Sequence, residues 1–70
     1  NEEVMYEINY EGRDLKAYGI WKVNENFYDD IPDFNLTRVT KPNSNRNLLR
    51  YMDDLDFVYI DQMVSAMDNN

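Results

Sequence analysis

The fold is decided by the stretch from Val4 to Val23, which reads VMYEINYEGRDLKAYGIWKV. Large apolar side chains alternate with other residues along both halves of this stretch, and a period of two is typical of a half-buried strand. Between the halves lies EGRD, residues 11–14, where Gly12 can adopt the positive φ of a tight turn. The pattern predicts a β-hairpin over about residues 4–23 that turns at Gly12.

Two residues of the predicted hairpin carry more detailed expectations. Glu7 faces the same side as Lys16 and Lys22, so one of these lysines is expected opposite it, where the charge pair would help to fix the register. Gly19 interrupts the second strand. A glycine inside a strand marks either a β-bulge or a close approach of another group to the backbone.

The middle of the chain contains a connector and a short strand. Residues 24–34 read NENFYDDIPDF, and Pro32 with the paired aspartates argues against a regular strand there. The apolar side chains of this connector indicate one helical turn or an ordered crossing over the core. Residues 35–40 are rich in β-formers and predict a short third strand, which Pro42 ends.

The last part of the chain predicts an amphipathic helix over about residues 45–67, capped by Ser44 or Asn45. Apolar residues at spacings of three and four would pack on the sheet: Leu48, Met52, Leu55, Tyr59, Met63 and Ala66. The alternative is a strand over residues 56–61, DFVYID, followed by a short helix from Gln62. The preferred fold class is α+β, with residues 1–70 as a single small domain.

Composition limits the chemistry that the chain can perform. It has no cysteine and no histidine, so thiolate chemistry, zinc–thiolate sites and histidine-based catalysis are excluded. The carboxylate clusters lack the glycine and the spacing of a calcium loop. We therefore expect no enzyme activity, no catalytic residue, no cofactor and no metal. No apolar run approaches the roughly 20 residues that span a bilayer, and we expect a cytoplasmic protein without membrane contact.

Charge points to the kind of partner. Fourteen acidic residues against seven basic ones give a net charge of −7, which disfavours direct nucleic-acid binding and favours basic partners. On the predicted helix, Asp54, Asp61 and Asp68 recur every seven residues, with neighbours roughly 10 Å apart. Duplex phosphates repeat on a comparable scale, so such a stripe would imitate a DNA backbone and occupy a nucleic-acid-binding protein, with Asp53 helping to steer the encounter. The alternative is an ordinary solvated helix face.

Phe57 falls among these aspartates and resembles an interface anchor with a charged rim. If the helix were rotated, Phe57 would instead belong to the core. The sequence favours a small acidic protein-binding module, an inhibitor or regulator that occupies a basic, nucleic-acid-binding surface of a partner, through Asp53, Asp54, Phe57, Asp61 and Asp68. The alternative is a structural module that self-associates, for example as a homodimer.

Overall fold

A computed structural model describes residues 2–23 and 32–68 of the chain. Three antiparallel strands form one sheet in the order β1-β2-β3. The strands are β1 (Val4–Tyr10), β2 (Arg13–Val23) and β3 (Pro32–Thr40). A 3₁₀ turn (Leu49–Tyr51) and helix α1 (Asp54–Asp68) follow, and α1 packs on one face of the sheet. The predicted α+β fold is confirmed.

The hairpin is confirmed together with its turn. Tyr10 pairs with Arg13, so the loop has only two residues, Glu11 and Gly12. Both have positive φ, 53° for Glu11 and 78° for Gly12. Two positive φ values define a type I′ turn, whose twist matches that of the strands it joins. This register places Glu7 opposite Lys16, the first of the two expected pairings.

Both features that Gly19 was expected to mark, a β-bulge and a close approach to the backbone, are present. Tyr18 pairs with Arg38 and Gly19 pairs with Leu36, so Thr37 is the extra residue of a bulge. A Cβ atom on Gly19 would overlap Cζ of Phe34, closer than real Cβ atoms approach another atom. The missing side chain therefore makes room for the Phe34 ring against β2.

The third strand is longer than predicted. It begins at Pro32 rather than near residue 35, so the expectation that Pro32 excludes a strand is wrong. The physical reason is that Pro32 is the first residue of an edge strand, a position that tolerates the missing N–H. Residues 24–31, the rest of the predicted connector, lie outside the described residues.

The helix begins at Asp54, not near residue 45, so Ser44 and Asn45 do not cap it. The preceding segment instead pairs with the edge of β3. Leu48 donates its N–H to the Val39 carbonyl at 2.7 Å, and the Asn47 side-chain oxygen accepts from the N–H groups of Val39 and Leu49 at 3.3 and 3.0 Å. Residues 56–61 are helical, which rules out the alternative strand.

The helix is also rotated relative to the predicted apolar stripe. Ile60 and Val64 are fully buried, whereas Leu55 and Tyr59 are 64% and 53% exposed. The predicted stripe began at Leu48 and Met52, which precede the helix. Extending their spacing into the helix assigned Leu55 and Tyr59 to the buried face, although that face is exposed. The buried hydrophobic residues are Ile8, Leu15, Ala17, Phe34, Val39, Ile60 and Val64.

Candidate functional site

Asp53 and Asp56 form a reciprocal cap at the start of α1. The Asp53 carboxylate accepts from the Asp56 N–H at 3.0 Å, and the Asp56 carboxylate accepts from the Asp53 N–H at 3.0 Å. This is the geometry of a capping box, with aspartate in the place usually held by glutamate. Negative charge here also complements the helix dipole. Asp53 thus has a structural task that the sequence prediction missed, because it placed the helix start too early.

Asp56 makes a second contact, with the first strand. The Tyr10 hydroxyl donates to the Asp56 carboxylate at 2.6 Å. This hydrogen bond, with burial and the nearby negative charge, raises the pKa of Tyr10 well above its ordinary value of 10.0. The same bond and those from Asp53 lower the pKa of the Asp56 carboxyl below 3.8. The first shift keeps the Tyr10 hydroxyl protonated and the second keeps Asp56 ionised, so their hydrogen bond ties the start of α1 to the end of β1.

Asp61 is turned towards the sheet instead of outwards. It lines a shallow cavity of about 320 Å³ together with Leu36, Phe57 and Val58. Its Oδ1 atom is buried without a hydrogen-bond partner. Burial, and secondarily the charge of Asp33, raises the pKa of the Asp61 carboxyl.

The five predicted site residues therefore do not form one exposed stripe. Asp53 caps the helix, Asp54 is exposed in its first turn, and Phe57 is half-buried beside the shallow cavity. Asp68 is exposed at the other end, where its carboxylate accepts from the Tyr6 hydroxyl at 3.4 Å. Asp54, Asp61 and Asp68 lie along the helix with their spacing of seven, but of these three only Asp54 and Asp68 are exposed.

The solvent-facing side of α1 is apolar. Leu55, Val58 and Tyr59 are 64%, 50% and 53% exposed, and their spacing of three and four places them on one side of the helix. Gln62 and Ala66 continue this side and are also exposed. We call these five residues the outward α1 surface. Sequence reasoning missed it because it assigned Leu55, Tyr59 and Ala66 to the core.

Acidic residues border the outward α1 surface. Asp54 lies at its first turn and Asp68 ends the helix, and both are exposed, whereas Asp61 is half-buried towards the sheet. No lysine or arginine occurs between Asp54 and Asp68. The surface thus has an apolar centre without charge and an acidic rim, which is the arrangement of residues found in many protein interfaces.

A larger concave region lies elsewhere on the described residues. It is an open cleft of about 700 Å³ between the hairpin turn and the 3₁₀ turn, with Leu15, Leu48 and Met52 among its walls. Its charged residues are of both signs: Glu11, Arg13, Asp14, Lys41 and Asp56. Within residues 2–23 and 32–68, no group of acidic side chains could hold a metal ion. In the same described ranges, no helix has the length and apolarity needed to cross a membrane.

Comparison of the chain with protein-family models, with curated proteins and with solved structures gives no match in any of the three. Any conclusion about function therefore depends on the residues and surfaces described above.

Proposed function

We propose that this protein is a small acidic binding module that docks on a partner protein through the outward α1 surface. The observation that carries the proposal is the exposure of Leu55, Val58 and Tyr59 on one side of a helix with no charge among them. Scattered exposed apolar residues are normal, but a contiguous apolar patch with a polar rim is typical of interaction sites. The fitting partner surface is an apolar groove or patch with basic residues around it.

Charge supports the basic character of the partner. The chain carries −7 overall, and its C-terminal residues 53–70 contain five aspartates and no base. Rim charges of this kind act mainly on the rate of encounter, because they attract the opposite charge over a distance comparable to the Debye length. A basic surface is characteristic of proteins that bind nucleic acids, so we propose an inhibitor or regulator that occupies such a surface.

Self-association is the second candidate, because the same apolar surface would also be buried by a copy of itself. In an antiparallel pairing of two α1 helices, Asp54 of one copy would approach Asp68 of the other. Like charges at both ends of the contact oppose this arrangement. The acidic rim thus favours a basic partner over a second copy.

The test compares two variants of matched chemistry. Leu55→Ser with Tyr59→Ser removes the apolar centre, and Tyr51→Ser removes an exposed aromatic ring, 62% exposed, outside α1. A partner is captured from host lysate at low salt, purified, and its binding kinetics are measured with each variant. The α1 variant should dissociate at least tenfold faster, as loss of interface anchors does, while Tyr51→Ser should bind as the wild type.

Two further measurements test the finer parts of the proposal. Asp54→Asn with Asp68→Asn should slow association and flatten its salt dependence. Duplex DNA or single-stranded RNA added in excess should displace the protein from its partner if a nucleic-acid-binding surface is occupied. Wild-type kinetics for the α1 variant would overturn the docking surface. Unchanged binding in the presence of nucleic acid would overturn the inhibitor.

A further inference from the structure

The two edges of the sheet differ in how their backbone groups are used. At β3, the outward N–H and C=O of Val39 bond to the Asn47 side chain and the Leu48 N–H. The proline at the start of the same strand also removes a donor. At β1, no backbone hydrogen bond from the described residues outside the sheet reaches the strand. Among residues 2–23 and 32–68, one edge is therefore covered in part, and no backbone group bonds to the other.

The register identifies the open groups of β1. Tyr10 and Arg13 flank a two-residue turn, and such a pair exchanges both of its backbone hydrogen bonds. Alternation then directs the backbone groups of Ile8, Tyr6 and Val4 towards β2. The N–H and C=O groups of Met5, Glu7 and Asn9 consequently point away from β2, and all three residues are exposed.

The side chains along this edge define the partner. Met5, Glu7 and Asn9 share the sheet face that α1 does not cover, where they lie opposite Tyr18, Lys16 and Asp14. Residues 2–11 contain four glutamates and no base. A new strand beside β1 would extend each cross-strand row by one residue. The favourable neighbours are a basic residue beside Glu7 and an apolar residue beside Met5.

A second copy of the chain is a poor occupant of this edge. Antiparallel pairing of β1 with itself about its middle residue would place Glu7 directly opposite the Glu7 of the copy. The same symmetry would place Glu3 opposite Glu11. Like charges directly opposite each other destabilise a strand pair, so the edge favours a strand of different sequence.

We propose that the β1 edge binds an extended basic segment of another protein, which adds antiparallel as a fourth strand. Its recognition pattern is a basic residue beside Glu7 and, two residues later, an apolar residue beside Met5. Main-chain hydrogen bonds to Met5, Glu7 and Asn9 supply the pairing, and the two side-chain contacts supply the selectivity. This surface is separate from the outward α1 surface and does not depend on it.

The experiment uses the full chain and a capped synthetic peptide of sequence Thr-Thr-Thr-Lys-Thr-Ile-Thr. Amide hydrogen exchange is followed by NMR. The amides of Met5, Glu7 and Asn9 should exchange at least tenfold more slowly when the peptide is present. The amides of Tyr6 and Ile8 are already bonded to β2 and should change little. A peptide with glutamine in place of lysine should bind roughly two- to fivefold more weakly, since a cross-strand charge pair is worth up to about 1 kcal/mol.

Two substitutions of Glu7 separate the contribution of its backbone N–H to peptide binding from the contribution of its charge. Glu7→Gln removes the charge alone and should weaken binding by roughly two- to fivefold. Glu7→Pro also removes the outward N–H but no β1–β2 hydrogen bond, so it should abolish binding and leave the hairpin intact. If the Glu7→Pro variant unfolds, the hydrogen-exchange pattern of the wild type and the affinity of Glu7→Gln still test the proposal.

Unchanged exchange rates of the Met5, Glu7 and Asn9 amides with millimolar peptide would overturn the proposal. Glu7 would then be an edge-strand charge that prevents the addition of another strand. Protection that rises with protein concentration in the absence of peptide would also overturn it, because a second copy would then be the occupant.

Discussion

Gly19 shows what the absence of one side chain does for this core. The Phe34 ring lies against the Gly19 backbone, 5.0 Å from the Trp21 ring and 5.7 Å from the Tyr6 ring between centroids. The Tyr6 and Trp21 rings meet edge to face, and the Trp21 indole N–H donates to the Tyr6 hydroxyl at 3.0 Å. Gly19 therefore positions an aromatic cluster that joins all three strands.

Gly19→Ala should destabilise the protein by about 1–3 kcal/mol, the usual cost of inserting a methyl group into a packed site. The added Cβ would meet Phe34 and also the Asn35 carbonyl, at 2.6 Å. Urea denaturation measures the loss. Phe34→Leu shortens the clashing side chain, so the same substitution in that background should cost less. Equal costs in the two backgrounds would show that Phe34 is not the obstacle.

Asp61→Asn should stabilise the protein at neutral pH. The pKa of Asp61 is raised in the folded state, so folding favours the protonated carboxyl and opposes the ionised one. The gain in unfolding free energy should be fully present at a pH above the raised pKa of Asp61 in the folded state. It should shrink as the pH falls through that pKa and vanish below the ordinary pKa of 3.8. Melting temperatures at pH 7 and at acid pH measure this, with Asp54→Asn as the exposed control. A stabilisation that persists at acid pH would contradict the titration of Asp61 as its cause.

These two residues differ in how far the sequence could predict them. A lone glycine in an alternating strand is a strong local signal, and both of its expected meanings are present. The environment of Asp61 depends on how α1 is rotated and on where Asp33 lies in β3. Both are consequences of tertiary packing, and the local pattern of charges in the sequence does not predict them.

At the scale of elements, helix α1 is apolar on two sides. Leu55 and Tyr59 line one side, and Ile60 and Val64 line the other. Each side satisfies the spacing of an amphipathic helix, so periodicity alone does not select the face that meets the sheet. The face that meets the sheet also depends on where the helix starts. The helix starts late because Asn47 and Leu48 bond to the edge of β3 instead of joining a helix.

Truncation of the two sides of α1 should have unequal effects. Ile60→Ala should destabilise by about 2–5 kcal/mol, because it leaves a cavity at a fully buried site. Leu55→Ala should change stability by no more than about 0.5 kcal/mol, as surface substitutions do. Thermal or urea unfolding of both variants gives the comparison. If Leu55→Ala were the more costly of the two, the rotation of the helix described above would be wrong.

The hairpin turn contains a local conflict between residue and conformation. Glu11 has φ of 53°, in the left-handed region where most side chains are unfavourable. Asparagine tolerates that region, and Asn-Gly is the preferred pair of a type I′ turn. Glu11→Asn should therefore stabilise the protein by about 0.5–1 kcal/mol, within the range of optimised turn positions. Urea denaturation tests it, and Glu11→Ala, which keeps the strain, should give no comparable gain.

At the scale of the whole molecule, one helix covers one face of a three-stranded sheet. The element order, the antiparallel hairpin and the packing of a helix on the sheet follow from the sequence pattern, whereas the pairing of β3 with β2 comes from the structure. The location of exposed apolar surface does not follow from the sequence pattern. Which apolar residues remain outside depends on which of its apolar faces helix α1 buries.

The links between α1 and β1 have a consequence for the dynamics of the chain. Tyr10 and Asp56 are 46 residues apart in sequence, and Tyr6 and Asp68 are 62 apart, whereas the two-residue turn closes the hairpin locally. Releasing the helix regains the entropy of a long loop, while opening the hairpin regains little. We expect α1 to detach as a cooperative unit while β1 and β2 stay paired, so its amides should exchange by a subglobal opening of lower free energy than global unfolding. Native-state hydrogen exchange in low denaturant separates the two, and a single opening free energy for α1 and the hairpin would show that the molecule opens only as a whole.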